Sequence, residues 1–290
     1  CKFYGDCQEG IIMLKLMYIT NQPEIARIAE NAGVDRIFVD MEYIGKSERQ
    51  GGMDTVQLHH TTQDVANIKG AVATAEVLVR VNPIHEATQL YDSSEEEINA
   101  AIEAGADVLM LPYFKTVQEV KRFVQIIAGR TKTMLLIETP EAVEAIDEIL
   151  EVPGIDEVHI GLNDLSLGYG KKFMFELLTD GTVERLCIKF KQKGISYGFG
   201  GIAALGKGML PAEHIIKEHY RLGSSCVILS RSFCNTSQIQ DMDEIRSIFD
   251  GGVKAIRDLE RECQTYRTYF IENYKTLVEK VEMICKRIDS

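Results

Sequence analysis

Short apolar runs alternate with amphipathic stretches along most of the chain. The apolar runs are nearly continuous, which is typical of parallel strands that are buried on both faces. The stretches between them carry apolar residues at helical spacing, as in 22–33, which Pro23 opens and Gly33 ends. The predicted strands are 11–19, 36–42, 76–82, 107–114, 133–139, 155–162, 195–202 and 225–230.

Eight strands, most of them followed by a helix, predict an α/β protein with the (β/α)8 TIM-barrel architecture. A doubly wound open sheet is the alternative, but its first strand is usually followed by a glycine-rich phosphate loop. Here TNQPE follows the first predicted strand, whereas the glycine-rich stretch 198–208 follows the seventh. The barrel is therefore the predicted fold.

The last part of the chain, from about Ser237, has a different character. Its sequence predicts long amphipathic helices with a break at Gly251–Gly252. We therefore divide the chain into a barrel domain at 1–236 and a C-terminal helical extension at 237–290. The apolar stripe of such helices needs cover, either from the barrel or from a neighbouring subunit.

Composition narrows the class of partner. The chain of 290 residues carries a net charge of −12, which argues against nucleic acid or an anionic membrane as the main partner. No apolar run approaches the roughly 20 residues of a membrane-spanning helix. The seven cysteines include no C-x-x-C pair, which indicates reduced thiols rather than a disulfide framework or a zinc site. We expect a cytoplasmic protein that acts on a small molecule.

Two carboxylates follow neighbouring predicted strands. Glu138 ends the fifth strand, and Asp164 follows the sixth. In a (β/α)8 barrel the functional site lies at the C-terminal ends of the strands, so these side chains are expected on adjacent rims. A single rim carboxylate would more often cap a helix or pair with a cation. Two of them, completed by water and substrate oxygens, suit Mg²⁺, and Mn²⁺ takes similar ligands.

Arg80 ends the third predicted strand and adds a cation to the same rim. Its planar guanidinium suits a substrate carboxylate or an enolate oxygen. A 2-oxo acid can chelate a divalent metal through its carboxylate and keto oxygens, which stabilises the enolate formed by C–C cleavage or proton removal. Metal and arginine together therefore favour C–C bond chemistry next to a 2-oxo acid.

Four segments carry a resemblance to a known family. LLIETPEAVEAIDEIL, VHIGLNDLSLGYG, VRVNP and VDMEY are similar to motifs of the HpcH/HpaI aldolase and citrate lyase β-subunit family, over about Met13 to Ser232. The resemblance implies a barrel of the pyruvate/phosphoenolpyruvate superfamily, a divalent metal, and lyase chemistry through a pyruvate-like enolate. IET and IGxNDLSxxxG are its most specific parts.

Carried over by motif position, the resemblance implies roles for single residues. Glu138 and Asp164 would be the metal ligands, and Arg80 would polarise the keto or enolate oxygen. The backbone around Asn163 and Asp164 would hold the substrate carboxylate. The chain would thus be a divalent-metal-dependent aldolase or lyase.

The same resemblance implies that Asp40 and Glu42, at the end of the second strand, order the metal-bound waters or the base. It also implies an assembly, because members commonly exchange the last barrel helix between subunits and commonly form hexamers. We therefore expect a homo-oligomer, a hexamer or one built from dimers, in which the C-terminal helices take part.

One position departs from the family pattern. The pyruvate aldolases carry a histidine after the strand-two glutamate, which acts as acid/base through metal-bound water, and this chain has Tyr43 at that catalytic position. His59 and His60 in the following loop are candidates to replace it, and His85 near the third rim is a candidate for the same role or for substrate binding. Two alternatives stay open: a CoA-thioester lyase of the citrate-lyase type, and a barrel that binds a ligand without catalysis.

Overall fold

Eight parallel strands close into a barrel in chain order, with β1 beside β8. The structure, a computed structural model, describes residues 13–45, 60–265 and 269–288. The strands consist of apolar runs that are buried on both faces, and the predicted (β/α)8 TIM-barrel fold is confirmed. The strands are β1 Lys15–Ile19, β2 Arg36–Asp40, β3 Glu76–Arg80, β4 Val108–Leu111, β5 Lys132–Ile137, β6 Glu157–Ile160, β7 Ser196–Ile202 and β8 Cys226–Leu229.

Helices follow the strands and cover the outside of the barrel. The side chains that they bury recur at helical spacing and form one core with the outward-facing strand residues. Within the described residues the helices are α1 Pro23–Asn31, α2 Thr62–Lys69, α3 Ser94–Glu103, α4 Val117–Ile127, α5 Pro140–Glu144, α6 Ile146–Ile149, α7 Leu162–Gly168, α8 Glu176–Thr179, α9 Thr182–Lys193, α10 Ala212–Leu222, α11 Met242–Thr265 and α12 Phe270–Ile288.

Helices α2, α3 and α4 each start with a reciprocal capping box. Thr61 is the N-cap of α2, and its side chain and that of Asp64 form this capping box.

The single helix predicted after the fifth strand is wrong, because Ala145 leaves helical geometry (φ −87°, ψ 8°) and divides it into α5 and α6. The break leaves a helix of five residues directly beyond Glu138.

The C-terminal part of the chain extends the helical layer. α11 runs unbroken through Gly251–Gly252, so the predicted break is wrong. Gly252 instead makes room for Phe233, whose ring would lie 2.7 Å from a Cβ at this position. α11 packs on α1 and α10, and α12 packs on α10 and α8. The division at 236/237 and the exchange of a helix between subunits stay predictions.

The barrel interior is layered from charged to apolar to charged. At the N-terminal ends of the strands, the buried guanidinium of Arg36 pairs with Glu157 (2.6 and 2.5 Å) and with Glu76 (2.7 Å). At the C-terminal ends the inward positions become charged again, and the candidate site lies there. The layer between consists mainly of apolar side chains, including Phe38, Leu78, Met110 and Met134, and also contains the buried His159 beside Cys226.

Among the described residues, every helix is too short or too polar to cross a membrane. The cysteines of this part of the chain are free thiols: Cys187, Cys226, Cys234, Cys263 and Cys285. The cytoplasmic location stays a prediction.

Candidate active site

The register of β2 and β3 builds the centre of the candidate site. Asp40 is paired with Arg80 across the two strands. Nε and Nη2 of Arg80 donate to the two carboxylate oxygens of Asp40 at 2.8 and 2.7 Å, and Nη1 lies 3.3 Å from Oε2 of Glu42. Burial lowers the pKa of Arg80, but these two carboxylates raise it by more. The guanidinium is therefore a fixed cation at this rim.

Glu138 follows the last residue of β5 and is 4% exposed. Burial raises the pKa of this carboxyl to about 8, and the carboxylates of Glu42 and Asp164 act in the same direction, against the cation of Arg80. The backbone N–H of Tyr113 donates to its Oε1 at 2.9 Å. Asp40, Glu42 and Glu138 thus all act on the one cation of Arg80, an arrangement that additional positive charge would stabilise.

Tyr113 has a left-handed backbone with a φ of 47°, which is rare for a residue with a side chain. This conformation accompanies the hydrogen bond from its N–H to Glu138. Strained backbone of this kind persists where the surrounding structure holds it, and it is common at functional sites. Sequence reasoning missed this residue, because a tyrosine gives no signal of a left-handed conformation.

Asp164 lies in the first turn of α7, because β6 ends at Ile160 and the chain turns into a helix at Leu162. The side-chain amide of Asn163 donates to its Oδ1 at 3.1 Å. Asp164 and Glu138 line one cavity of about 460 Å³, together with residues of the β4–α4 loop, α5 and α7. The structure thus brings the two carboxylates together, and their role as metal ligands stays a prediction.

Gly161 allows Glu138 to fit beside β6. A Cβ at this position would lie 2.9 Å from both Cβ and Oε2 of Glu138. The φ of Gly161 is −80°, which any residue adopts, so glycine is needed here for space. The glycine of the IGxND motif therefore leaves room for the carboxylate of the preceding strand.

The described residues contain no group of three or more His, Cys, Asp and Glu side chains that could hold a metal ion. The predicted metal site therefore depends on the pair Glu138 and Asp164. Two carboxylates with water or substrate oxygens in the remaining positions are a usual arrangement for Mg²⁺. The all-oxygen donor set and the surplus of negative charge around Arg80 fit such an ion.

Tyr43 is not among the residues that line this cavity, and neither are the members of the Asp40–Arg80 pair. The backbone N–H groups of Tyr43 and Ile44 both donate to Oδ1 of Asn82 at 2.9 Å, which fixes the turn after β2. The Tyr43 ring is 40% exposed and packs edge-on against Tyr91, with 6.5 Å between centroids. Partial burial and the Glu97 carboxylate raise the pKa of the phenol, so it stays protonated near neutral pH. A catalytic role for Tyr43 stays a prediction.

The three histidines singled out from the sequence are in different situations. His60 is buried, and its Nδ1 accepts a hydrogen bond from the Asp40 backbone N–H at 3.0 Å. Nδ1 and Nε2 of His85 lie 2.7 and 2.9 Å from carbonyl oxygens of the β3–α3 loop, and the ring nitrogen that carries the proton donates to its carbonyl. His59 lies outside the described residues. His60 therefore supports the backbone at the site, His85 orders its own loop, and their proposed roles in the reaction stay predictions.

Comparison with known proteins agrees with this architecture. The model of the HpcH/HpaI aldolase/citrate lyase family matches residues 15–195. A 4-hydroxy-4-methyl-2-oxoglutarate aldolase of Chaetomium globosum is 22% identical over 213 residues, which cover 62% of this chain and 72% of the relative.

The fold is also similar to that of two solved structures, each 18% identical in sequence. An HpcH/HpaI aldolase from Desulfitobacterium hafniense has a TM-score of 0.58, with 80% of this chain and 93% of that chain covered. An HpcH/HpaI aldolase/citrate lyase family protein from Burkholderia cenocepacia has a TM-score of 0.60, with 82% and 96% covered.

The family match spans the strands from β1 to β6 and therefore includes all the rim carboxylates described above. The chain therefore belongs to the HpcH/HpaI aldolase/citrate lyase family, whose members are aldolases and lyases.

Proposed function

We propose that the protein is a divalent-metal-dependent carbon–carbon lyase that makes or breaks the bond next to a 2-oxo acid through a pyruvate-like enolate. The observation that carries this proposal is the cavity shared by Glu138 and Asp164, at the rim that also holds the Asp40–Arg80 pair. Enolate chemistry of this kind needs oxygen ligands for a metal and a fixed cation for the developing negative charge. The Chaetomium globosum relative, an aldolase of a 2-oxo acid, supports the same class of substrate.

Arg80 is the group of this chain that meets the developing charge. Asp40 holds its Nε and Nη2 edge and Glu42 lies beside Nη1, so the guanidinium is oriented before the substrate binds. A positive charge fixed in a buried site needs no reorganisation when the enolate oxygen becomes negative. Glu138 and Asp164 would hold the divalent ion, which supplies Lewis-acid polarisation of the 2-oxo acid when it is bound.

The remaining tasks are substrate binding and proton transfer. By motif position, the substrate carboxylate is assigned to the backbone at Asn163 and Asp164, in the first turn of α7. Proton removal from C3 is assigned to Asp40 and Glu42 acting through water, because Tyr43 is a protonated phenol that packs on the β3–α3 loop.

The measurement that tests this proposal is the exchange of pyruvate methyl protons in D₂O, followed by proton NMR. With Mg²⁺ or Mn²⁺ present, the methyl signal is expected to decline at a rate proportional to protein concentration. EDTA is expected to abolish the exchange, and added metal to restore it. No exchange with either ion, together with no thermal shift on metal addition, would overturn the proposal. Turnover of an acyl-CoA without pyruvate exchange would favour the citrate-lyase-type alternative.

Gly161→Ala is expected to weaken Mn²⁺ binding by at least about tenfold while the fold stays intact. The added methyl group must displace the Glu138 side chain and with it the carboxylate, since it would lie 2.9 Å from both Cβ and Oε2 of Glu138. Calorimetric titration with Mn²⁺ measures the affinity, and far-UV circular dichroism measures the fold. Gly251→Ala is the matched control, because a Cβ there meets nothing within 4 Å. Unchanged Mn²⁺ affinity in Gly161→Ala would show that Glu138 is not a ligand.

A further inference from the structure

The cavity continues beyond the two carboxylates to a surface that we call the outer wall. Tyr113, Pro140 and Leu167 form the apolar part of this surface, and the Leu167 side chain is 43% exposed. The volume of about 460 Å³ is far larger than a three-carbon acid needs, so the outer wall faces space for a second reactant. The outer wall consists of Tyr113 and Lys115 from the β4–α4 loop, Pro140, Glu141 and Glu144 from α5, and Leu167 from α7.

The cation of the outer wall is already compensated. Nζ of Lys115 lies 3.0 Å from Oε1 of Glu141. The same ammonium lies over the ring of Tyr113, 5.5 Å from its centroid, in a cation–π contact. An anionic substrate group would therefore have to displace Glu141 before it could pair with Lys115.

The carboxylate of Glu144 gives the outer wall a net negative charge. It is exposed and lies one turn after Glu141 on α5. Within the part of the chain that the structure describes, its carboxylate has no ion pair or hydrogen bond. The divalent ion of the proposed function compensates Glu138 and Asp164, and Lys115 compensates Glu141. Glu144 therefore supplies uncompensated negative charge where the second reactant would bind.

We propose that the second reactant is an aldehyde with an uncharged, partly apolar tail, and that Glu144 discriminates against anionic aldehydes. This inference rests on the proposed function. An alkyl tail would contact Tyr113, Pro140 and Leu167, whereas a carboxylate tail would meet the field of Glu144. Charge repulsion of this kind acts over several ångströms and is screened by salt.

The reaction itself leaves the tail unchanged. In the direction of synthesis, a proton leaves C3 of pyruvate, and the electron pair left on C3 forms the new bond to the aldehyde carbon. The π electrons of the aldehyde C=O move to its oxygen, which takes up one proton. The product is a 4-hydroxy-2-oxo acid, and no proton is gained or lost overall. The charge of the tail therefore enters only through its interactions in the cavity.

The test compares two acceptors of similar shape, succinic semialdehyde and its uncharged methyl ester, with pyruvate as donor and the Mg²⁺-loaded protein as catalyst. The wild type is expected to use the ester with a kcat/KM at least about tenfold higher than that of the anion. Glu144→Gln is expected to bring the ratio close to one, and Glu144→Lys to reverse it. Added NaCl is expected to narrow the ratio in the wild type but not in Glu144→Gln.

Glu148→Gln is the matched control, because Glu148 is exposed on α6, is not among the cavity-lining residues and gives the same change in net charge. Its ester-to-anion ratio is expected to equal that of the wild type. An unchanged ratio in Glu144→Gln, or an equal change in Glu148→Gln, would overturn the inference.

Pyruvate proton exchange without any aldehyde is measured in the same samples. Normal exchange in the wild type together with preference for the anion would overturn this inference and leave the proposed function standing. Absence of exchange in the wild type would overturn the proposed function itself, which separates the two failures.

Discussion

Glu138→Gln is expected to lower kcat/KM of the pyruvate-dependent reaction by about 10³-fold or more. Glutamine keeps the size of the side chain and an oxygen for the Tyr113 N–H, but it loses the charge that would hold the metal. The Lewis-acid contribution of a catalytic metal is worth several kcal/mol, and about 1.4 kcal/mol corresponds to a factor of ten in rate. Steady-state kinetics at saturating Mg²⁺, with a Mn²⁺ titration of each protein, measure the loss.

The same substitution is expected to stabilise the metal-free protein at alkaline pH. The pKa of the Glu138 carboxyl is about 8 in the fold against an ordinary value of 4.5. Between these values the folded state binds more protons than the unfolded state, so the free energy of unfolding falls as the pH rises from 4.5 to 8. Glutamine removes that loss. In EDTA, the gain in Tm is expected to be larger at about pH 8.5 than at about pH 5.

Glu148→Gln again serves as the control and is expected to leave kcat/KM, Mn²⁺ affinity and Tm close to wild-type values. Loss of activity in Glu138→Gln accompanied by a lower Tm in EDTA at alkaline pH would mean that the substitution damages the fold. Full activity in Glu138→Gln would mean that this carboxylate does not hold the metal. A gain in stability with a loss of activity is the combination that a functional carboxylate crowded by its neighbours produces.

The barrel could be predicted because its signal is spread over eight apolar runs, so an error at one strand end does not change the architecture. Local details depended on packing and were missed. The stretch after Glu138 has a strong helical pattern, yet the chain leaves helical geometry at Ala145. A pair of glycines normally weakens a helix, but Gly252 is accommodated inside α11 because Phe233 packs against it.

The rim carboxylates could be predicted because their positions follow directly from the strand ends. Their surroundings could not, because these depend on contacts between distant segments. The partner of Arg80 is set by the register that places Asp40 opposite it. The hydrogen bond to Glu138 comes from the left-handed backbone of Tyr113, which no spacing encodes. The direction of Tyr43 likewise depends on the β3–α3 loop.

Arg36→Met is expected to lower the free energy of unfolding by about 3–5 kcal/mol, the largest loss of stability that we expect from one substitution away from the rim. The guanidinium is fully buried, and it forms a two-pronged pair with Glu157 and a further bond to Glu76. Methionine would fill much of the space but leave these carboxylates without their buried cation. Lys15 and Lys132 approach the same carboxylates but are 44% and 49% exposed, so they compensate only in part. Urea unfolding at pH 7 measures the loss.

The pH dependence separates a lost ion pair from a packing defect. Burial raises the pKa of Glu76, but pairing with Lys132 and Arg36 lowers it to about 2. A carboxylate with a lowered pKa contributes stability above its ordinary value of 4.5, and this contribution is lost as the pH falls toward 2. Removing Arg36 raises that pKa again. The gap between wild type and Arg36→Met is therefore expected to be wide at pH 7 and to narrow at about pH 3.

A second substitution tests the cause directly. Combining Arg36→Met with Glu157→Gln is expected to recover at least about half of the loss, because most of the cost of breaking a buried pair comes from the charge that is left behind. Arg27→Met, at an exposed position of α1, is the control and is expected to stay within about 0.5 kcal/mol of the wild type. A loss that is equal at pH 7 and pH 3, with no recovery in the double variant, would show a packing defect instead. Apolar side chains around Phe38 lie between the Arg36–Glu157 pair and the rim. In a (β/α)8 barrel the N-terminal end of the strands serves stability and the C-terminal end serves catalysis. We therefore expect kcat of the folded fraction of Arg36→Met to stay unchanged.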